Sequence, residues 1–365
     1  MKELILHIGT NKTGSSAVQK YFFNKKSSDI HYFNWHWENH SDLFKLLACE
    51  PEQNETYHLF QKSSKTVAEL KKQADIEKLR VRKEIEEINK HRFLMSAEDA
   101  SQSNISCYNL HTFKDLFSDL VGKFQIIVYV RPPLSFMISS YAQRIRSGRD
   151  IELNIRKLLP RYEARLGKFE TVFGKENIIY TCFSRETLSN GDIVCDFLNK
   201  LGEKNVDKTN QSKNHTNKSI GFDKLSLLIY YRKFCTENNQ HIGKTKKEIE
   251  LFLYFLRDLK VEDKQFSFSN KHQLFNSYKS VAKDWDWINS RLKLDITQYD
   301  TKDQTNIIHS TDCFINHCLL ITNTMEELVK TYDPTFFIGK NRSESHKLRK
   351  CMNFFKRKIR RKLNT

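Results

Sequence analysis

The feature of this chain that most restricts its fold is an apolar strand that runs directly into a glycine-bounded loop. Residues 4–19 read LILHIGTNKTGSSAVQ, in which the apolar run ends at Gly9 and a helical pattern begins near Ser15. The loop carries Lys12 and the adjacent hydroxyls of Ser15 and Ser16. Backbone N–H groups and a helix N-terminus can converge on an anion in such a turn. We therefore predict a phosphate-binding turn between the first strand and the first helix.

The position of the lysine separates this loop from a Walker A loop. In GxxxxGK[ST] the lysine follows the second glycine, whereas Lys12 precedes Gly14 by two residues and Ser15 stands at the Walker position. An ordinary strand-turn-helix connection with polar caps is the alternative explanation. If the turn binds phosphate, the displaced lysine indicates different chemistry from that of a nucleoside triphosphatase.

A second strand-to-helix turn follows about 120 residues later, in the segment QIIVYVRPPLSFMISSYAQRIRSG. The β-prone run Ile126–Val130 predicts a buried parallel strand that ends at Arg131. Two prolines then stop strand pairing and favour a helix start. Ser139 comes eight residues after Arg131. A guanidinium and a hydroxyl fixed by one strand-helix corner can hold a dianionic phosphate.

The two segments together resemble the sulfotransferases that use 3′-phosphoadenosine 5′-phosphosulfate (PAPS) as donor. KTGSS is similar to their 5′-phosphosulfate loop, and Arg131 and Ser139 have the separation of the arginine and serine that hold the 3′-phosphate. The HIGTxKTG-like start is most similar to bacterial carbohydrate sulfotransferases. The resemblance covers residues 1–220 and fades toward 298.

The resemblance and the order of elements both imply an α/β fold. We expect a three-layer, P-loop-like domain with a central parallel sheet flanked by helices, plus a mostly helical C-terminal extension. The predicted strands are 4–8, 93–96, 126–130 and 178–183, and long helices are predicted at 62–90 and 153–173. The expected domains are a sulfotransferase domain at 1–298, a helical extension at 299–345 and a basic amphipathic tail at 346–365.

The resemblance implies PAPS as cofactor and 3′-phosphoadenosine 5′-phosphate as product, without a metal. The donor-binding candidates are Asn11, Lys12, Thr13, Gly14, Ser15 and Ser16 at the 5′-phosphate, Arg131 and Ser139 at the 3′-phosphate, and Lys213, Asn217 and Ser219 in a polar stretch at 210–221. In that stretch the family's Arg-Lys-Gly form is missing. Arg185, after the last predicted strand, is either a substrate contact or a surface arginine.

Sulfuryl transfer to a hydroxyl needs a base, and Glu98 follows a predicted strand. A carboxylate there faces the crevice in which open α/β sheets bind ligands. The catalytic candidates are therefore Lys12, which would neutralise charge on the bridging oxygen, and Glu98, with His40 as the reserve base. Alternatively, Glu98 or Asp99 only caps the following turn.

Charge and composition bear on the partners. With 61 Lys and Arg against 44 Asp and Glu the net charge is +17, which favours anionic partners. No nucleic-acid motif accompanies this charge, so we expect no nucleic acid. The expected acceptor is a hydroxyl-bearing glycan, capsular, lipopolysaccharide or other. The aromatic segment Ile30–Phe44 is either a wall of the acceptor pocket or a packed connector.

The N-terminus predicts no signal peptide, and no apolar run reaches the length of a bilayer span. We therefore expect a cytoplasmic protein. Residues 346–365 predict a basic amphipathic helix that lies on an anionic membrane surface, with a disordered tail or a docked helix as alternatives. The spacings of the histidines fit no common metal site, and we expect none.

Two other functional classes stay open at this point. A P-loop kinase or NTPase would need a lysine directly after Gly14 and a magnesium-binding aspartate at a strand end. The predicted strands instead end near Glu98 and at Arg131. The other class is a non-catalytic, membrane-associated protein that binds a nucleotide only as a ligand.

Overall fold

The fold comes from a computed structural model. It describes residues 1–10, 13–24, 29–51, 65–148, 152–203, 221–237, 279–300 and 313. The chain divides into two compact units. One comprises residues 1–140, 155–215 and 270–303, and the other comprises 141–154, 216–269 and 304–365. The first unit contains the sheet and the described residues among the site candidates.

The first unit contains a five-stranded parallel sheet with the order β2-β3-β1-β4-β5. Its strands are β1 (Glu3–Gly9), β2 (Ile30–Tyr32), β3 (Arg92–Ser96), β4 (Lys123–Val130) and β5 (Ile178–Cys182). The predicted α/β class with a central parallel sheet flanked by helices is confirmed. Sequence reasoning missed β2, because three residues in an aromatic segment give no clear strand period.

The described helices are α1 (Ser15–Asn24), α2 (Ser41–Ala48), α3 (Val67–Glu87), α4 (Cys107–Asp115), α5 (Pro133–Arg146), α6 (Ile155–Leu158), α7 (Tyr162–Phe173), α8 (Ile193–Lys200), α9 (Phe222–Glu237) and α10 (Lys279–Leu292). Helix α3 is shorter than predicted and begins at a capping box formed by Thr66 and Glu69. The prediction of one helix over 153–173 is wrong. Pro160 lacks an N–H and Arg161 is left-handed at φ 52°, which separates α6 from α7.

One face of the sheet packs against α1 and α8. The core residues at this interface include Ile5, Leu94, Ile127 and Tyr129 from the strands, Val18 and Phe22 from α1, and Phe197 from α8. The Phe197 ring lies 4.8 Å from the His7 ring and 5.7 Å from the Phe22 ring. Tyr129 also donates a hydrogen bond to Asp196 Oδ2 at 2.7 Å. Phe197 therefore packs α8 against both β1 and α1.

The other face of the sheet carries a chain of aromatic rings. Leu4 pairs in register with Phe93 on one side and Phe124 on the other, so their side chains share this face. The Phe93 ring lies 5.9 Å from Phe33, and the Phe124 ring lies 5.6 Å from Phe173 at the end of α7. These contacts fix α7 against the sheet.

Strand order defines where a ligand is expected to bind. After β1 the chain moves toward β2, and after β4 it moves to β5 on the opposite side. The crevice between the carboxyl ends of β1 and β4 is therefore a topological switch point, the usual ligand position in open α/β sheets. Both predicted anion-binding turns follow these two strands.

Several predictions concern segments that lie outside the described residues. These are Asn11 and Lys12, the polar residues Lys213, Asn217 and Ser219, the extension at 299–345 apart from its first residues and Cys313, and the tail at 346–365. In the part of the chain that the structure describes, no helix is both long and apolar enough to cross a membrane.

We expect Phe197→Ala to lower the free energy of unfolding by about 3–5 kcal/mol, because it empties a fully buried aromatic position between α8, α1 and the sheet. Urea unfolding followed by circular dichroism measures this change. Phe23→Ala serves as the control, because Phe23 is 45% exposed and its loss is expected to cost less than about 1 kcal/mol. Equal losses in the two variants would contradict this assignment of the core.

Candidate functional site

The loop after β1 gathers hydroxyl groups over a glycine. Thr13 Oγ1 donates to Thr10 O at 2.8 Å and lies 3.5 Å from Ser15 Oγ. A Cβ atom built on Gly9 would meet Thr13 Oγ1 at 2.3 Å and Ser15 Oγ at 2.7 Å. Gly14 has φ +76°, which favours glycine. The loop thus needs glycine both for its turn and for the close approach of its hydroxyls.

Thr10 connects the two predicted turns. Its N–H donates to Tyr129 O at 2.9 Å, and its Oγ1 lies 3.4 Å from the same carbonyl. The Arg131 N–H donates to Thr10 Oγ1 at 3.3 Å. The loop after β1 and the corner after β4 therefore form one continuous surface at the switch point. Sequence reasoning missed Thr10, whose sole signal was a hydroxyl residue at the end of an apolar strand.

Arg131 extends from this corner along the first turns of α5. Its Nε donates to Ser135 Oγ at 2.6 Å. Ser139 lies four residues further on the same helix face and is buried, at 8% exposure. Burial lowers the pKa of Arg131, which stays charged at any physiological pH. The structure thus adds Ser135 to the predicted pair of Arg131 and Ser139.

Asp300 and Tyr162 hold the corner that carries Arg131. The Asp300 carboxylate accepts the N–H groups of Leu134 at 3.1 Å and Ser135 at 2.9 Å, so it caps the N-terminus of α5. The negative charge of Asp300 opposes the lowering of the Arg131 pKa. The Tyr162 hydroxyl donates to Arg131 O at 2.6 Å. Asp300 lies 165 residues after Ser135, a separation that no local pattern reveals.

Glu98 opens a 3₁₀ turn, Glu98–Ser101, directly after β3. The Ser101 hydroxyl lies 3.0 Å from Gly9 O and 2.9 Å from Glu98 O, and the Ala97 N–H donates to His7 O at 2.9 Å. These contacts hold the half-buried Glu98 turn against the end of β1. Glu98 therefore lies on the turn that follows β3, at the same edge of the sheet as the loop after β1.

The neighbouring carboxylate, Asp99, has a structural environment. It forms an ion pair with Lys45 and accepts a hydrogen bond from Gln102 Nε2 at 2.6 Å. The Asp99 N–H donates to Ser41 Oγ at 3.1 Å. Asp99 thus joins the turn to α2.

His40, the reserve base, is completely buried beside the end of β3. Its Nδ1 accepts the Ser96 N–H at 3.2 Å, and its ring stacks on Tyr32 with centroids 4.3 Å apart. Burial lowers the pKa of His40 to about 3. Because Nδ1 is the acceptor, the ring proton belongs on Nε2, and the nitrogen with a lone pair is already used. This geometry disfavours His40 as a base.

The aromatic segment Ile30–Phe44 is largely a packed connector. Phe33 and Phe44 are buried, with ring contacts to Phe93 and Phe113 respectively. Trp37 is an exception at 61% exposure. Because Phe33 and Phe44 are buried in the core, the candidates in this segment for the predicted wall of the acceptor pocket are Trp37 and the half-buried rings near it.

The remaining candidates differ in position. Ser16 on α1 and Arg185 after β5 are exposed. Among the described residues, no group of three or more His, Cys, Asp or Glu side chains is placed to hold a metal ion.

No protein-family model matches the chain, and no curated protein matches it significantly in sequence. A sulfotransferase from Alicyclobacillus acidocaldarius is a similar solved structure. It is 11% identical with a TM-score of 0.38, and the match covers 82% of this chain and 100% of that chain. At this TM-score we draw no functional conclusion from the likeness.

We expect Gly9→Ala to destabilise the protein by about 1–3 kcal/mol, because the new methyl group overlaps Thr13 Oγ1 and Ser15 Oγ. Thermal and urea unfolding measure the loss. Gly167→Ala in α7 is the matched control, since its Cβ would meet the nearest atom at 3.7 Å and alanine favours a helix. A Gly9→Ala variant as stable as Gly167→Ala would contradict the loop geometry.

Proposed function

We propose that this protein is a PAPS-dependent sulfotransferase that moves a sulfuryl group to a hydroxyl of an acceptor. The observation that carries the proposal is the bridge through Thr10, which joins the two predicted anion-binding turns at the carboxyl ends of neighbouring strands. A ligand with phosphates at separate positions on a nucleoside fits two such turns, whereas the linear phosphate chain of a nucleoside triphosphate fits one.

The residues around the loop fit the 5′-phosphate of this donor. Asn11, Lys12, Thr13, Gly14, Ser15 and Ser16 would bind it through backbone N–H groups, hydroxyls and the α1 N-terminus. The absence of a side chain at Gly9 lets the Thr13 and Ser15 hydroxyls lie close to the end of β1, which supports a compact loop at this position. We propose that Lys12 neutralises the charge that develops on the leaving phosphate oxygen.

Arg131 and Ser139 would hold the 3′-phosphate, with Ser135 fixing the Arg131 guanidinium. Guanidinium groups suit phosphate because their N–H groups form paired, charge-assisted hydrogen bonds. Lys213, Asn217 and Ser219 remain proposed further contacts. When bound, PAPS supplies a sulfuryl group attached to a good leaving group, and the protein contributes position and charge.

Glu98 is the proposed base for the acceptor hydroxyl. Its turn is bound to Gly9 O through Ser101, which keeps the carboxylate's segment next to the donor loop. Such fixed placement is what proton transfer in an ordered site requires.

The acceptor is proposed to be a glycan, capsular, lipopolysaccharide or other, at the cytoplasmic face of a membrane that the basic tail at 346–365 contacts.

A P-loop kinase or NTPase fits the residues less well. Ser15 occupies the position of the Walker lysine, and the turns after β3 and β4 carry Glu98 and Arg131 instead of a magnesium-binding aspartate. Incubation with ³⁵S-labelled PAPS and a panel of bacterial glycans is the test of function. Transfer of label supports the proposal, nucleotide binding without transfer to any acceptor favours a non-catalytic protein, and phosphoryl transfer from ATP would refute it.

We expect Arg131→Ala to weaken binding of 3′-phosphoadenosine 5′-phosphate by about 2 kcal/mol, roughly 30-fold in Kd, because a charge-assisted contact to the 3′-phosphate is lost. Isothermal titration calorimetry measures the affinity. Arg82→Ala is the control, because Arg82 pairs with Asp119 away from the two turns and its loss is expected to leave Kd unchanged. Equal affinities of the Arg131→Ala variant and the parent would refute the clamp.

We expect Glu98→Gln to lower kcat by about 100-fold or more with little change in donor affinity, because the amide cannot accept the acceptor proton. Steady-state assays with an acceptor that the glycan panel identifies measure kcat and KM. Asp99→Asn is the control, since Asp99 pairs with Lys45 and its change is expected to reduce stability while turnover per folded molecule persists. Full activity in the Glu98→Gln variant would remove the base assignment.

A further inference from the structure

Arg165 lies beside the Glu98 turn and has no role in the proposed sulfuryl transfer. It belongs to α7, and its Nε donates to Ser101 O at 3.1 Å. The centre of its guanidinium lies 5.5 Å from the centroid of the Phe136 ring, in the first turn of α5. The guanidinium is therefore located between the turn that carries Glu98 and the helix that follows Arg131.

The charge of Arg165 is not matched by its described surroundings. No carboxylate among the described residues forms an ion pair with it. Asp99 and Asp284 are near enough to raise its pKa, but Lys45 binds Asp99, and Asp284 accepts the N–H groups at the start of α7. Burial is the largest influence and lowers the pKa of Arg165. Arg165 is half-buried, and a partly desolvated cation without a paired anion makes the arrival of an anion favourable.

The hydrogen-bonding capacity of Arg165 is also largely unused. A guanidinium has five N–H bonds, and within the described part of the chain only the one at Nε has a protein acceptor. The fork formed by the two terminal nitrogens is the part that binds sulfate, phosphate and carboxylate groups in pairs of hydrogen bonds.

A purely structural role for Arg165 would be to support the turn after Glu98. Lys168, one helical turn further along α7, already does this, because its Nζ donates to Gln102 O at 2.5 Å and Ile105 O at 2.7 Å. Burial, followed by the charge of Arg165, lowers the pKa of Lys168 to about 8. Lys168 alone would be enough to support the segment after Glu98. Arg165 adds a second positive charge that repels Lys168, and together the two side chains create a positive field at this position.

We propose that Arg165 binds an anionic group of a substrate, a sulfate, sulfuryl or carboxylate, beside the Glu98 turn. This inference rests on the proposed function and deepens it. The group is either the sulfuryl group of the donor or an acidic group, a uronate or a sulfate ester, on the acceptor glycan. In both cases Arg165 is a binding residue that fixes the reacting groups near Glu98.

The test uses inorganic sulfate as the probe. The full chain is first saturated with 3′-phosphoadenosine 5′-phosphate, which occupies the two phosphate positions, and sulfate is then titrated by calorimetry. We expect saturable sulfate binding in the parent and at least about tenfold weaker binding in Arg165→Gln, because a charge-assisted fork is lost. Arg82→Gln is the control, because Arg82 pairs with Asp119, and its sulfate affinity is expected to stay within about threefold of the parent.

Sulfate binding of equal strength in the parent and Arg165→Gln would overturn the inference. Unchanged affinity for the bisphosphate shows that a variant is folded. If Arg165→Gln fails to fold, Arg165→Lys replaces it, which keeps the charge, removes the fork and is again expected to weaken sulfate binding. If the parent fails to bind the bisphosphate, the proposed function fails, and sulfate titration of the nucleotide-free variants still tests Arg165.

A second measurement identifies the source of the anion. If the group is the donor's sulfuryl group, Arg165→Gln weakens binding of PAPS but not of 3′-phosphoadenosine 5′-phosphate. If it belongs to the acceptor, both nucleotides bind Arg165→Gln as they bind the parent, while sulfate binding to the nucleotide complex is lost. A variant that keeps PAPS affinity and sulfate binding alike would contradict both forms of the proposal.

Discussion

The candidate site depends on the hydrogen bonds of Thr10 to β4. A loop after β1 and a corner after β4 are separated by about 120 residues of chain, and Thr10 connects them through Tyr129 O and the Arg131 N–H. Each bond contributes only about 1 kcal/mol. Their importance is geometric, since they fix the two groups of predicted anion-binding residues relative to each other without any contribution from a ligand.

The rest of the first unit maintains this connection. Parallel pairing of β1 with β3 and β4 brings three carboxyl ends to one edge, and Ser101 ties the Glu98 turn to the same end of β1. Asp300 caps the helix that follows Arg131, and Tyr162 binds the Arg131 carbonyl. Cationic side chains are held in this way close to positions where anions are expected, and fixed charge of this kind is effective in transfer reactions because it needs no reorganisation.

Sequence alone predicted the parts of this arrangement that local patterns encode. Apolar runs identified β1, β3, β4 and β5, and a strand-end arginine followed by prolines identified the start of α5. The helical pattern over residues 153–173 did not reveal the break between α6 and α7, because that break depends on the left-handed backbone of a single residue, Arg161.

The missed site residues share a different cause. Thr10 and Asp300 contact partners more than 100 residues away in the sequence, which only the folded chain brings together. Ser135 contacts Arg131 within one helical turn, but the sequence does not show that the two side chains meet. A hydroxyl or carboxylate in such a position looks like any surface residue in the sequence. His40 was retained as a candidate base for the same reason. The burial that lowers its pKa to about 3 comes from tertiary packing, which the sequence does not show.

The central claim is that the two turns bind one ligand at two separate phosphates. The most direct measurement compares, by calorimetry, the affinities of the parent protein for 3′-phosphoadenosine 5′-phosphate and for adenosine 5′-monophosphate, which lacks the 3′-phosphate. We expect the bisphosphate to bind at least about 30-fold more tightly, the value of one charge-assisted phosphate contact. Equal affinities for the two nucleotides would contradict the account.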